Sequence, residues 1–372
     1  MSLRRGALWG LLAAKALAGI GVGWDIRWHI VIGRDSFWIA PHVMTYAGVA
    51  IAALLSLGVL AAETWAARHG RVPAGALRVA GLVGTRGFHL AWWGIALTLL
   101  AAPIDDLWHR LFGIDVTLWS PPHLLGLAGA QINSIGCLLI ARETWPAGRV
   151  RTAALALGGL LLFSGFQTGI DPGLRTAFMH GGARFFTYAM LGGLFLTGTL
   201  IVTARLAGSR AMPVVVAVGG LALQLAVIGI GDVGMAVLQP TPAVADAIAA
   251  DPTSPIGVAH EIARRSGVTP GRGFMVRMFP IVPAILLALI DPRRRPITSA
   301  LGFGVALYAV NAVMFLRSPA FAHVHPEPAD ALVAFVVTLL AALVSGVVAL
   351  RFEARGSAPR TTPMAVAVTP PA

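Results

Sequence analysis

Apolar runs of membrane-crossing length recur along the whole of this chain, and no other feature restricts its fold as strongly. A helix needs about 20 predominantly apolar residues to cross roughly 30 Å of hydrocarbon. Ten such spans are drawn, over 6–24, 42–66, 88–105, 122–142, 152–170, 187–206, 213–238, 276–290, 297–316 and 330–351. The eighth is the weakest, because MFPIVPAILLALI carries two prolines and is closed by Asp291. A content of 57% hydrophobic and 12% charged residues, with mean hydropathy +0.78, lies far outside the range of soluble domains. Helices satisfy their own backbone groups in lipid, so the expected fold class is an all-α, polytopic integral membrane helical bundle of about ten transmembrane helices.

A net charge of +12 raises the question of a nucleic-acid partner, but the placement of the arginines argues against one. They gather in alternate loops: Arg4 and Arg5, then Arg68 to Arg86, Arg142 to Arg151, Arg205 and Arg210, Arg293 to Arg295, and Arg351 to Arg360. The positive-inside rule makes these loops cytoplasmic, and ten spans put both termini there. The intervening loops hold most of the acidic residues and eight of the ten histidines, His69 and His89 being the exceptions. The acidic and imidazole chemistry is therefore expected at the outer face. Met1 to Gly19 imitates a signal peptide, but Lys15 interrupts its apolar region, so it is read as the first span. The lone Cys137 excludes an internal disulfide.

Within this frame one pattern is written twice. Asp25 precedes His29 by four residues and Asp105 precedes His109 by four; a further histidine follows a proline in each case, His42 after Pro41 and His123 after Pro122. Offsets of 80 or 81 residues also relate Trp28 to Trp108, Asp35 to Asp115, Trp38 to Trp119, Gly48 to Gly129 and Glu63-Thr64-Trp65 to Glu143-Thr144-Trp145. The first four helices read as two copies of one helical hairpin, inserted as parallel repeats. Expected domains are 1–146 for the duplicated hairpins, 147–355 for further membrane helices, and 356–372 for a disordered cytoplasmic tail rich in Pro, Thr and Ala.

The spacing has chemical content. Residues four apart share a helix face, so each Asp and His can aim at a common spot. A loop returns the chain, Pro starts the next helix, and the following His falls in its first turn. Two imidazoles and a carboxylate converge, a donor set suited to copper, with zinc or non-haem iron as alternatives. Asp35 and Asp115, with Arg34, are candidates to orient the ligands. A duplicated structural hairpin would copy these polar residues whether or not they hold metal. Trp24, Trp28, Trp38, Trp108 and Trp119 are expected at the outer interface, where Trp is enriched in any membrane protein. Lys15, Gln131, Asn133, Gln167, Gln224, Asp232 and Asn311 fall within spans and are expected to face the bundle interior.

The stretch containing Asp25, Trp28, His29, Arg34, Asp35 and His42 resembles the copper-binding stretch of the C subunit of the particulate methane monooxygenase and ammonia monooxygenase family. His109 and His123 are spaced like the histidines of that subunit's other metal site, which begins with Asn where this chain has Asp105. The resemblance covers about residues 20–130. It implies copper at Asp25, His29 and His42, a second metal at Asp105, His109 and His123, partner membrane subunits or a homo-oligomer, and oxidation of a small apolar substrate or ammonia with O2. Copper acquisition or transport, and a non-catalytic structural subunit, are the alternative functions. The motif assigns no catalytic residue beyond the metal sites.

Overall fold

The structure, a computed structural model, describes residues 3–33, 36–73, 75–112, 117–271 and 278–357. It is an all-α bundle, with nine helical stretches long and apolar enough to cross a membrane among the described residues. The two hairpins are α1 (Leu3–Ile32) with α2 (Ala40–Arg68), and α3 (Arg86–Phe112) with α4 (Pro121–Thr144). A short antiparallel pair, Leu77–Val79 with Leu82–Gly84, joins them. The second half comprises α5 (Arg149–Ile170), α6 (Gly173–His180), α7 (Thr187–Ala207), α8 (Met212–Leu238), α9 (Val244–Ala250), α10 (Pro255–Ser266), α11 (Ile281–Ile290), α12 (Pro296–Leu316) and α13 (Pro328–Ser357).

Glycine sets the closeness of each hairpin. A Cβ at Gly48 of α2 would lie 2.5 Å from the carbonyl oxygen of Ala14 on α1, and one at Gly129 of α4 would lie 2.6 Å from that of Gly94 on α3. Backbones meet directly at these crossings, as small residues allow between membrane helices. At one end of the bundle the hairpins are also tied by matching carboxylates. Glu63 accepts from Arg4, while Glu143 accepts from the Gly87 N–H at 3.1 Å.

The eighth expected span is where the structure departs from the sequence reading. Only Ile281–Ile290 of the drawn 276–290 is helical, and residues 272–277 lie outside the described ones. Ten residues rise about 15 Å, half a bilayer. The chain nevertheless reaches the arginine-rich end, because Arg205 donates to the Arg293 carbonyl at 2.6 Å and Arg293 to that of Gly208 at 2.9 Å. Non-helical backbone within a bundle needs partners from its neighbours. Tyr188, which accepts from Gln167 Nε2 at 2.6 Å, donates its hydroxyl to the Met278 carbonyl at 3.3 Å. Proline at 280 and 283 explains why the helix starts so late.

Buried apolar residues fall into two large clusters and a small one of Trp24, Trp28 and Ile32. One large cluster joins the hairpins to α5, from Leu8 to Leu206; the other, from Phe163 to Ala349, is dominated by α7, α12 and the aromatic group Phe185, Phe315 and Phe321. Residues 239–271, after α8, fold back over the end opposite the arginines. There α10 buries Ile256, Val258 and Ile262, and His260 Nε2 meets the Ile30 carbonyl at 2.7 Å.

Candidate metal centres

Both Asp-x-x-x-His pairs lie on continuous helix. α1 runs on to Ile32 and α3 to Phe112, with Pro103 inside it, so Asp25 and His29, and Asp105 and His109, are each one turn apart on one face. Pro41 and Pro122 stand in the first turn of α2 and α4, as expected from the missing N–H. That placement fixes the distal histidines. His42 turns Nδ1 to the Ser36 carbonyl at 3.1 Å, and His123 turns Nδ1 to the Thr117 carbonyl at 2.7 Å.

The geometry then converges on the carboxylates. Asp105 Oδ2 is 3.3 Å from His109 Nε2, and its Oδ1 is 3.4 Å from His123 Nε2. Ligand atoms of these three residues all lie within 4.8 Å of one another. In the first hairpin Asp25 Oδ1 is 3.1 Å from His42 Nε2 and 3.4 Å from His29 Nδ1. His29 Nδ1 is closer, at 3.0 Å, to the carbonyl of Asp25 itself. The first set thus aims Asp25 Oδ1 and His42 Nε2 at one point, whereas the second aims three donors.

These contacts leave room for a proton or a metal ion between the partners. An imidazole donating Nδ1–H to a carbonyl carries a lone pair on Nε2 when neutral, and a lone pair facing a carboxylate oxygen is repulsive unless a proton or a metal lies between them. Both Asp25 Oδ1 and Asp105 Oδ1 are buried without a hydrogen bond of acceptable geometry. Donors at 2.0–2.1 Å from a tetrahedral ion stand about 3.3 Å apart. The 3.3 and 3.4 Å separations of the second set, one to each Asp105 oxygen, are of that size, and the three residues form a group that could hold a metal ion. The backbone carbonyl on Nδ1 supplies the outer hydrogen bond that fixes the ring of a ligating histidine.

Arg34, Asp35 and Asp115, expected to orient the ligands, lie outside the described residues. The interfacial reading of the tryptophans is corrected in part. Trp38 is exposed, but Trp24 and Trp28 are buried, with Trp24 against Gly231 and Gly234 of α8. Glycines on α8 leave the groove that admits that ring, which no local pattern on α1 announces. Arg27, between these tryptophans, was not singled out in the sequence. It pairs with Asp232 at 2.6 Å and donates to the Ile228 and Gly271 carbonyls. His323 is engaged by Arg265 and the Phe178 carbonyl.

Both sets open on one cavity of about 500 Å³, walled mostly by small and apolar residues of α1 to α5 and α8 and covered by α10. Asp171 and Lys15 also line it. Compared with protein-family models, curated proteins and solved structures, the chain matches none.

Proposed function

We propose that this protein is a copper-binding integral membrane protein whose two carboxylate–imidazole sets serve oxidation of a small apolar substrate with O2. The observation that carries the reading is the convergence of Asp105, His109 and His123, with His123 Nε2 and Asp105 Oδ1 facing each other at 3.4 Å. Resemblance of the first motif to the C subunit of copper membrane monooxygenases supports copper over zinc or iron, and the nitrogen-rich donor set agrees with it. Copper held by a few protein ligands with an open position would supply redox chemistry toward O2. The chain's own part is to hold the imidazoles through the Ser36 and Thr117 carbonyls, to place carboxylate charge beside them, and to line a mostly apolar chamber with α10 on one wall.

In this reading the arginine-rich end, where α1 begins and α13 ends, is cytoplasmic, and the metal sets lie at the outer face of an inner-membrane bundle. The four hairpin helices form a duplicated metal-site unit, the remaining helices a supporting one, and other membrane subunits or a second copy complete the assembly. Passage of metal ions through the cavity is the weaker reading, because a protonated Lys15 on its wall opposes a travelling cation. Copper-loaded protein in nanodiscs, supplied with O2, a reductant and a short alkane, is expected to consume O2 and release the alcohol. A protein that retains only zinc, or one that binds no metal, contradicts the proposal.

A further inference from the structure

The cavity continues far below the metal sets, and its deep end carries a lysine. Lys15 lies ten residues before Asp25 on α1, which places it about 15 Å deeper along the helix, near the middle of the bilayer. Its Nζ donates to the Ala130 carbonyl at 2.8 Å. An ammonium has three donors, and among the described residues no carboxylate pairs with this one. Ionisable groups at this depth are expensive and mark function when they face an internal chamber.

The chamber has a polarity along its length. Asp25, Asp105 and Asp171 stand toward the outer end with one guanidinium, that of Arg175, which donates to the Thr253 carbonyl; Asp171 follows α5, whose other end begins at Arg149 on the arginine side. Lys15 is the cation at depth. Between them the walls are mostly small and apolar, including Ala18, Val22, Ala52, Ala101 and Leu127, with Thr45, Thr98 and Gln131 among them. An anionic group is repelled at the acidic end and attracted at the deep one, while the lane between accepts hydrocarbon. A volume of about 500 Å³ lies within the range of small-molecule sites.

We propose that this cavity binds a single-chain amphiphile with a carboxylate end, its head held by Lys15 and its apolar chain extended toward the two carboxylate–imidazole sets. The inference names the ligand class of the chamber assigned above to the metal sites and rests on that reading for what the far end of the chain meets. Lys15 contributes a compact point charge that any carboxylate can use, so recognition is by charge and length.

Radiolabelled dodecanoate, whose extended length is close to the separation of Lys15 from the metal sets, is titrated onto the full chain in nanodiscs, with empty discs subtracted. Wild type is expected to bind saturably, Lys15→Met to bind at least about tenfold more weakly, and Lys15→Arg to stay within a few-fold of wild type. Neutral dodecanol and cationic dodecyltrimethylammonium are expected to compete poorly. Equal binding by wild type and Lys15→Met, or competition by the cation as strong as by unlabelled dodecanoate, overturns the proposal. Should Lys15→Met fail to fold, the competition series on wild type alone decides. Metal content is measured on the same samples. Metal-loaded protein that binds no dodecanoate refutes this inference and leaves the metal reading standing, whereas Lys15-dependent binding by protein that takes up no metal refutes the metal reading.

Discussion

Individual residues matter here mainly where charge is enclosed. Arg27 is 4% exposed and relies on Asp232 for its counter-charge. Asp232→Ala leaves that guanidinium with carbonyl partners only, and removing one member of a buried pair costs about 3 kcal/mol or more. Thermal unfolding in nanodiscs is expected to show a clear drop for Asp232→Ala, and a midpoint equal to wild type would contradict the account. Sequence made Asp232 suspicious but not its partner, because the two residues are 205 positions apart and only packing brings α1 against α8. The carboxylate–imidazole sets were legible for the opposite reason: an i,i+4 pair and a Pro-His at a helix start are local patterns, and local patterns survive into the fold. The different ring nitrogens that His29 and His109 turn to their carboxylates were not legible, since both follow the same spacing.

At the scale of elements, the closeness of the hairpins decides whether donors on different helices can meet. A side chain at Gly94 would run into the Asn133 amide at 2.5 Å and the Gly129 carbonyl at 2.7 Å, backbone that cannot step aside. Gly94→Val is expected to cost about 1–3 kcal/mol by overpacking and to weaken metal retention, because α3 and α4 carry His109 and His123 apart. Gly58→Val, placed where nothing lies within 4 Å, serves as the matched control and should leave both readouts unchanged. The short α11 is fastened differently. Asp291, which closes it with φ of 67°, receives Arg293 Nε at 2.9 Å and Nη2 at 2.8 Å. Those hydrogen bonds hold its carboxyl at about 2, below the usual carboxylate value of 3.8. The charged form is the one favoured by folding, so its contribution is complete above pH 4 and is lost as pH falls toward 2. The stability difference between wild type and Asp291→Asn, followed by thermal unfolding, should therefore shrink across that interval; a difference that grows on acidification would refute the assignment.

For the molecule as a whole, the fold class was written in the hydropathy, because a helix crossing lipid must declare itself within its own sequence. One span escaped this rule. The Met278 carbonyl before Ile281 is satisfied by the Tyr188 hydroxyl, itself held by Gln167, and such help from neighbours leaves no periodic trace. The chamber is likewise a property of the assembly: Lys15 was visible as an anomaly, but its place on the same cavity as both carboxylate–imidazole sets depends on six helices meeting. Conversely, Gly48 and Gly129 each permit a close helix crossing, while Glu63 accepts from the Arg4 side chain and Glu143 from the Gly87 N–H.

The most direct test of the central claim is elemental analysis of the purified full chain in nanodiscs, comparing wild type with His42→Ala and His123→Ala. The account predicts bound copper, with each substitution removing its own share, and the His123→Ala loss surviving milder chelation in wild type because three donors converge there. Protein that folds as wild type does, carries no copper, and takes none up on reconstitution would contradict it.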